Sequence, residues 1–158
     1  MSEDIVFSRN ASREENYREL MPQIEALFEG EDDVVANSAN MVAALKEVFD
    51  FFWVGFYFVK GDELVLAPFQ GPVACTRIGY GKGVCGTAWK EQRVQLVPDV
   101  NAFPGHIACS ALSKSEIVVP VFRDGEVVAV LDVDSDRYND FDEVDEYWLT
   151  KMVGLLNF

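Results

Sequence analysis

The chain has 158 residues, 49% of them hydrophobic, and this length and composition are typical of one globular domain, expected to span residues 1–158. With 27 acidic and 13 basic residues its net charge is −14, which argues against binding to nucleic acid or to an anionic membrane. The acidic start, Met1-Ser2-Glu3-Asp4, and the short apolar runs predict neither a signal peptide nor a membrane span. Three cysteines, an odd number, favour a reducing compartment, and we expect a cytoplasmic location.

Two helices are predicted at the start of the chain. Ser12-Arg13-Glu14-Glu15 matches a capping box, Pro22 is expected to break or kink the helix after it, and Gly30 to end it. The second helix is expected from residues 32–33 to about Phe49. Its predicted inner stripe consists of Val34, Val35, Ser38, Met41, Val42, Leu45, Val48 and Phe49.

The strongest predicted strand runs from Phe51 to Lys60. By the two-residue period of a strand, Trp53, Gly55 and Tyr57 share one face. The other face is predicted to carry Phe52, Val54, Phe56 and Phe58. Two rings flanking a glycine leave a gap that fits a small-molecule pocket, although plain core packing explains the same pattern.

Shorter elements come next, and short turns join neighbouring strands. This order predicts an α+β domain whose sheet is mainly antiparallel, with the terminal helices packed on one side. The expected elements are strands at Leu64–Phe69, Cys75–Ile78 and Val94–Val97, a short helix through Trp89, a long loop at 98–115, a hairpin of Glu116–Phe122 and Val127–Asp134, and a final helix from near Asp140 with Phe141, Val144, Trp148, Met152 and Leu155 on its apolar face.

All three cysteines lie between Cys75 and Cys109, with no C-x-x-C pair. Cys109 falls in a segment, 103–110, that reads as an exposed loop. Cys85 falls near the start of the short helix, where the helix dipole is expected to favour its thiolate. Thiols on neighbouring loops indicate redox chemistry, although a lone cysteine is more often inert. The sequence alone does not say which of the three attacks.

Three carboxylates accompany these thiols. Asp132 and Asp134 share one strand face, together with Val128 and Val130. A two-residue turn, Asp124-Gly125, would pair Glu116 with Val133; a three-residue turn from Arg123 would pair it with Asp132, and we predict the second. Three clustered carboxylates would raise the pKa of at least one and attract an ammonium group.

Three better-known sites are disfavoured. Residues 81–86 fit G-x-G-x-x-G, but the next segment is too short for a crossover helix, so we expect these glycines to let the backbone approach a ligand or another loop. A calcium loop from Asp132 to Glu143 has Arg137 where glycine is needed. A zinc site of His106 with the cysteines lacks closely spaced ligand pairs.

Four motifs together resemble the free methionine-(R)-sulfoxide reductases, single-domain enzymes with the GAF fold, and the resemblance covers Tyr17 to Leu156. It implies a GAF-like sheet with a loop-covered ligand pocket on the face opposite the terminal helices. The motifs are Gly83-Val84-Cys85-Gly86, Pro104-Gly105-His106-Ile107-Ala108-Cys109-Ser110, Ser115-Glu116-Ile117-Val118-Val119-Pro120 and Leu131-Asp132-Val133-Asp134-Ser135.

The resemblance also implies roles. Cys109 would be the nucleophile, and Cys75 and Cys85 the resolving cysteines, in an order it leaves open. The reaction would turn free methionine-(R)-sulfoxide into methionine through a cysteine sulfenic acid and a disulfide, with Glu116 a candidate acid. Thioredoxin, ultimately drawing on NADPH, would be the external reductant, and no bound cofactor or metal is expected. The implied substrate pocket consists of Trp53, Tyr57, Glu116, Asp132 and Asp134.

Two other readings stay open at this point. One is a ligand-binding or redox-sensing GAF module without catalytic activity, which would signal through a partner. The other is a dimeric structural module, which accounts for the helices but not for the thiols. A homodimer through the terminal helices is compatible with any of the three readings.

Overall fold

The computed structural model describes residues 4–158, so Met1, Ser2 and Glu3 of the acidic start lie outside the described residues. In this range no helix is long and apolar enough to cross a membrane. The helices are α1 (Arg13–Phe28), α2 (Val34–Phe49), α3 (Gly83–Glu91) and α4 (Glu143–Val153), with a 3-10 turn at Val100–Ala102. The strands are β1 (Trp53–Lys60), β2 (Glu63–Gln70), β3 (Arg77–Gly79), β4 (Gln95–Val97), β5 (Ser115–Arg123) and β6 (Glu126–Ser135).

The six strands form one sheet in the order β3-β2-β1-β6-β5-β4, and every pairing is antiparallel. The apolar sides of α1, α2 and α4 pack on one face of this sheet and form the larger hydrophobic core. A second, smaller cluster lies on the other face, beneath α3. The predicted α+β fold and the placement of the terminal helices on one side are therefore confirmed.

The two N-terminal helices begin where their capping residues predict. The Ser12 side chain accepts a hydrogen bond from the Glu15 backbone N–H at 3.1 Å, and Asp33 caps α2 in the same way. Pro22 does not break α1, because it lies on the exposed side, where water can reach the carbonyl that it leaves unpaired. Val35 is exposed and not part of the inner stripe, since burial in α2 begins only at Asn37.

The hairpin of β5 and β6 differs from its prediction. Arg123 pairs with Glu126 around a two-residue turn, and both turn residues are left-handed, with φ 52° at Asp124 and 80° at Gly125. The register then shifts beyond Val121, so that Glu116 stands opposite Asp134. The predicted three-residue turn and the predicted pairing of Glu116 with Asp132 are therefore wrong.

The register shift is a one-residue β-bulge in β6. Val121 pairs with Ala129 and Phe122 with Val127, which leaves Val128 unpaired. As a result Val128 packs with the helix-side core, whereas Val130 belongs to the other face, so their predicted shared face is wrong. The bulge also decides where Glu116 points, because an unbulged two-residue hairpin would have set it opposite the helix-side Val133.

Two other strands are shorter than predicted. β1 begins at Trp53 and not at Phe51, so the strand alternation does not reach Phe52, which packs with the smaller cluster and not with Val54. β3 begins at Arg77, and the loop before it carries Cys75. This shift moves the first cysteine from a predicted strand into a loop above the sheet.

Candidate active site

A pocket lies on the face of the sheet opposite α1, α2 and α4. Strands β1, β5 and β6 form its floor, and α3 with the loops around residues 72–74 and 106–113 closes its sides. It encloses about 600 Å³, including the part open to solvent. Among its lining residues are the predicted site residues Trp53, Tyr57, Cys85, Cys109, Glu116, Asp132 and Asp134.

The three carboxylates meet on the floor of this pocket. Glu116 stands directly opposite Asp134, and Asp132 is the next residue on the same face of β6. Glu116 and Asp132 are buried, with 5% and 7% of their surface exposed. Burial raises the pKa of all three carboxyl groups, and the charge of Asp132 raises the pKa of Glu116 and of Asp134 further.

Asp132 holds the one feature of this cluster that points to a bound cation. Its Oδ1 atom is buried without a hydrogen-bond partner, which is costly unless a ligand supplies a donor. Oxygens of Asp132 and Glu116 and the Cys85 sulfur all lie within 4.8 Å of one another. His106 Nε2 stands 3.9 Å from Glu116 Oε1, and burial lowers its pKa, so the histidine does not neutralise the cluster.

The cysteines divide into a pair and a single thiol. Cys75 and Cys109 form a disulfide with their Cα atoms 5.7 Å apart, Cys109 on an exposed loop and Cys75 half-buried beside it. The sulfurs of Cys75 and Cys109 therefore cannot ligate a metal in this state. The buried Cys85 thiol lies close to Glu116 and Asp132 and is not grouped with His106, whereas a zinc site of three cysteines and His106 would need that grouping.

The predicted thiolate of Cys85 is wrong for this state of the protein. Cys85 is the third residue of α3, as expected, but burial raises the pKa of its thiol, and the charges of Asp132 and Glu116 raise it further. The positive end of a helix dipole is equivalent to about half an elementary charge. Its effect on the thiol is smaller than the opposing effect of burial and of the nearby carboxyl groups. Cys85 is therefore a neutral thiol.

Trp53 and Tyr57 line the pocket, but the predicted gap at Gly55 is wrong, because the Trp53 indole lies 2.7 Å from where a Cβ atom on Gly55 would be. The rings of Trp53 and Tyr57 stack with centroids 6.1 Å apart across Gly55. In addition Trp53 Nε1 donates to the Pro72 carbonyl at 2.9 Å, and the Tyr57 hydroxyl donates to the Cys75 carbonyl at 2.8 Å. Both pocket residues thus hold the loop that carries Cys75, a role that no spacing in the sequence signals.

The glycine-rich segment brings another loop close, as predicted. A Cβ atom on Gly83 would lie 3.1 Å from the side chain of Ile107, in the loop that carries Cys109. A Cβ atom on Gly86 would lie 2.5 Å from the Gly79 carbonyl oxygen. These close approaches, and not a phosphate-binding turn, explain the glycines.

Several known proteins are similar in sequence to this chain over nearly its whole length. The sequence profile of the GAF domain family matches residues 30–158. GAF domain-containing protein A of Dictyostelium discoideum is 60% identical over 99% of both chains. The free methionine-R-sulfoxide reductase of Saccharomyces cerevisiae is 41% identical over 99% of this chain and 92% of its own.

A solved structure from the same family is also similar to this chain in fold. The free methionine-R-sulfoxide reductase of Neisseria meningitidis, in complex with its substrate, superimposes with a TM-score of 0.95. It is 52% identical, and the match covers 99% of this chain and 94% of that one. The chain therefore belongs to the GAF domain family and, within it, to the free methionine-R-sulfoxide reductases.

Proposed function

We propose that this protein reduces free L-methionine-(R)-S-oxide to L-methionine, with Cys109 as the nucleophile and Cys75 as its first resolving partner. The observation that carries the proposal is the Cys75–Cys109 disulfide at a pocket with two buried carboxylates, a half-buried third and two stacked aromatic rings. Such a disulfide is the product expected from one catalytic cycle. Cys85, free and buried, stays available as a second resolving thiol.

The chemistry balances with the residues present. The Cys109 thiolate attacks the sulfoxide sulfur while an acid protonates the oxygen, so that methionine leaves and Cys109 becomes a sulfenic acid. The Cys75 thiol then attacks the Cys109 sulfur, a disulfide forms and water is released. An external dithiol reduces this disulfide and is itself oxidised. For that last step we propose thioredoxin, reduced in turn at the expense of NADPH.

Glu116 is our candidate for the acid. Burial and the neighbouring carboxylates raise its pKa, which favours the protonated form that can donate to the sulfoxide oxygen. Glu116→Gln should lower kcat, because the amide is a much weaker acid. A change confined to KM would instead assign Glu116 to binding of the substrate ammonium group.

The pocket also accounts for a free amino acid as substrate. The unpartnered Oδ1 of Asp132 offers an acceptor to the substrate ammonium, and a carboxylate cluster closed around that group leaves no room for a preceding peptide bond. Trp53 and Tyr57 would hold the methyl end and help to select the R epimer. Asp134, half-buried beside Glu116, completes the negative side of the pocket.

The same carboxylates oppose formation of a thiolate at Cys109, because negative charge disfavours negative charge. We therefore propose that substrate binding activates Cys109: the ammonium group and a proton shared among the carboxylates relieve this repulsion. The rate of Cys109 alkylation at pH 7 measures this directly. It should be low in the reduced protein alone and rise with a bound substrate analogue; a high rate without ligand contradicts the idea.

Three expectations concern the molecule as a whole. We propose that residues 1–158 act as a single GAF domain, that the protein works in the cytoplasm, and that it forms a homodimer through α1 and α4. The odd number of cysteines supports the cytoplasmic location. Light scattering tests the dimer, which should weaken when charged residues are placed on the outer sides of the two helices.

Consumption of NADPH in the presence of thioredoxin and thioredoxin reductase tests the proposed function. Free methionine-(R)-sulfoxide, the free S epimer and a peptide-bound sulfoxide should be compared, with Cys109→Ser as the control variant. We expect turnover of the free R epimer alone, lost in the variant. Absence of turnover with every substrate, with reduced thiols verified, would favour a ligand-binding or redox-sensing module.

A further inference from the structure

The Cys75–Cys109 disulfide joins two loops that both carry exposed apolar side chains. Val73 precedes Cys75 by two residues and is 89% exposed, Leu112 lies three residues after Cys109 and is 63% exposed, and Ile107 lies two residues before Cys109 and is 39% exposed. We call Val73, Ile107 and Leu112 the disulfide rim. Single exposed apolar residues are ordinary, whereas several of them grouped on neighbouring loops often mark an interaction site.

The two chain segments that carry this rim are also free of charge. Residues 64–76 and 100–113 contain no Asp, Glu, Lys or Arg, although 25% of the whole chain is charged and its net charge is −14. An uncharged apolar surface can be covered by a partner without the cost of desolvating ions. The interior of protein interfaces has this composition, with charged residues depleted and apolar ones retained.

The two cysteines of the disulfide are not equally exposed. Cys109 lies exposed in its loop, whereas Cys75 is half-buried, in a loop held by hydrogen bonds from Trp53 and Tyr57. Cys109 also lines the carboxylate pocket, and Cys75 does not. Since exchange requires the attacking thiolate to reach one sulfur and expel the other, access favours attack on Cys109 and departure of Cys75.

We propose that the disulfide rim is the docking surface for a protein dithiol reductant, and that this reductant attacks the Cys109 sulfur. The inference rests on the proposed function, which requires the disulfide to be reduced once per cycle. The reductant thiolate bonds to Cys109, and the electron pair of the S–S bond leaves on the Cys75 sulfur, which takes up a proton. The second thiol of the reductant then breaks the mixed disulfide, releases Cys109 and closes the reductant's own disulfide.

A comparison of two reductants tests the docking surface. Leu112→Asp and Val73→Asp place a charge on the rim, and Val35→Asp, on the exposed side of α2, is the matched control. For each, kcat/KM is measured for thioredoxin and, separately, the turnover rate with dithiothreitol, which needs no docking surface. The ratio of the two should fall about tenfold or more in the rim variants and stay constant in the control.

These arms separate the proposal from the function on which it rests. If the unsubstituted protein does not reduce free methionine-(R)-sulfoxide with dithiothreitol, the proposed function is overturned. An unchanged ratio in both rim variants, or an equal fall in Val35→Asp, would overturn the docking surface while leaving the function intact.

Trapping of the mixed disulfide tests which sulfur is attacked. Thioredoxin that lacks its second active-site cysteine is incubated with the oxidised protein, and the adduct is digested with trypsin. Each cysteine then lies on its own peptide, 61–77 for Cys75, 83–90 for Cys85 and 94–114 for Cys109. We expect thioredoxin on peptide 94–114; an adduct on 61–77 would overturn the assignment.

Discussion

At the residue scale, the pocket carries carboxyl groups in a place where ionisation is costly. Glu116 is 5% exposed and stands among Asp132 and Asp134, and burial raises its pKa, with the charges of its neighbours as the next largest cause. Under the proposed function this cost is offset when substrate binds, because these are the groups to which we assign the substrate ammonium and the proton of the reaction. The free-energy cost of burying these carboxyl groups without substrate is therefore the cost that we expect substrate binding to relieve.

Glu116→Gln should make this cost visible as a change in pH dependence. The folded protein keeps the Glu116 proton above the pH at which the unfolded chain loses it, about 4.3. The free energy of unfolding of the unsubstituted protein therefore falls as pH rises through the window between that value and the raised pKa. The slope for one such group is at most about 1.4 kcal/mol per pH unit.

Urea unfolding of the substrate-free protein between pH 5 and pH 8 measures this slope. The variant should lose less stability than the unsubstituted protein as pH rises, and its advantage should be largest at pH 8. Glu126→Gln removes an exposed carboxylate at the far end of the same hairpin and should leave the slope unchanged. Parallel curves for Glu116→Gln and the unsubstituted protein would show that Glu116 is ionised in the folded state.

At the element scale, the packing of side chains on β1 requires a glycine at position 55. A Cβ atom on Gly55 would lie 2.3 Å from the Cβ of Phe69 and 2.7 Å from the indole of Trp53. Trp53 is fixed between Phe69 and Tyr57, with ring centroids 5.3 and 6.1 Å away, so it cannot yield without leaving its place. Gly55 therefore lets the Trp53 indole and Phe69 pack closely against β1.

Gly55→Ala should displace the Trp53 indole, raise KM for methionine sulfoxide and lower the free energy of unfolding by about 1–3 kcal/mol, the usual cost of overpacking. Gly79→Ala is the control, since its Cβ would meet only the flexible Lys82 side chain, at 3.2 Å. Tryptophan fluorescence, to which Trp89 and Trp148 also contribute, gives one readout, and KM and urea unfolding give two more. A variant with unchanged KM and stability would show that β1 and β2 can separate at little cost.

The β5–β6 hairpin shows how far the sequence predicts this site. Its strands, the position of its turn and the shared face of Asp132 and Asp134 are predictable from alternation and turn chemistry, but the same residues allow both a two-residue turn and the three-residue turn that we predicted. The bulge at Val128 is not, because Val127 and Val128 are both apolar and either can face the core. Choosing between them requires knowledge of what packs on each face, and that information is spread along the chain.

The hydrogen bonds from Trp53 and Tyr57 to the Cys75 loop could not be predicted for a similar reason. Their acceptors are the backbone carbonyls of Pro72 and Cys75. Every residue has such a carbonyl, so the sequence does not indicate which ones accept a hydrogen bond. The raised pKa of the Cys85 thiol likewise depends on burial beneath the loops, which helix position alone does not indicate.

At the scale of the whole molecule, the two ends of the fold are joined by a buried ionic network on the side of the sheet away from the pocket. The Asp145 carboxylate is fully buried and accepts from the Tyr17 hydroxyl at 2.6 Å and from Arg13 at 3.2 Å. Arg13 also pairs with Asp140 at 3.1 Å. These contacts tie α1 to α4 without touching the functional site.

Asp145→Ala should lower the free energy of unfolding by about 3 kcal/mol or more, because Arg13 and Tyr17 lose a buried partner. Glu146→Ala, at the next and exposed position of α4, should change it by less than about 0.5 kcal/mol. Activity per folded molecule with dithiothreitol should be retained in both. A stability loss that is equal in the two variants would contradict a structural role for the network.

One measurement tests the central claim most directly: a single turnover of fully reduced protein with free methionine-(R)-sulfoxide and no external reductant. We expect one methionine per protein molecule, together with a disulfide between the peptides of Cys75 and Cys109 and a free thiol at Cys85. In Cys75→Ser, methionine should still appear in the first turnover, because attack by Cys109 precedes resolution. Release of methionine without a disulfide at Cys109 in the unsubstituted protein, or undiminished release by Cys109→Ser, would contradict the account.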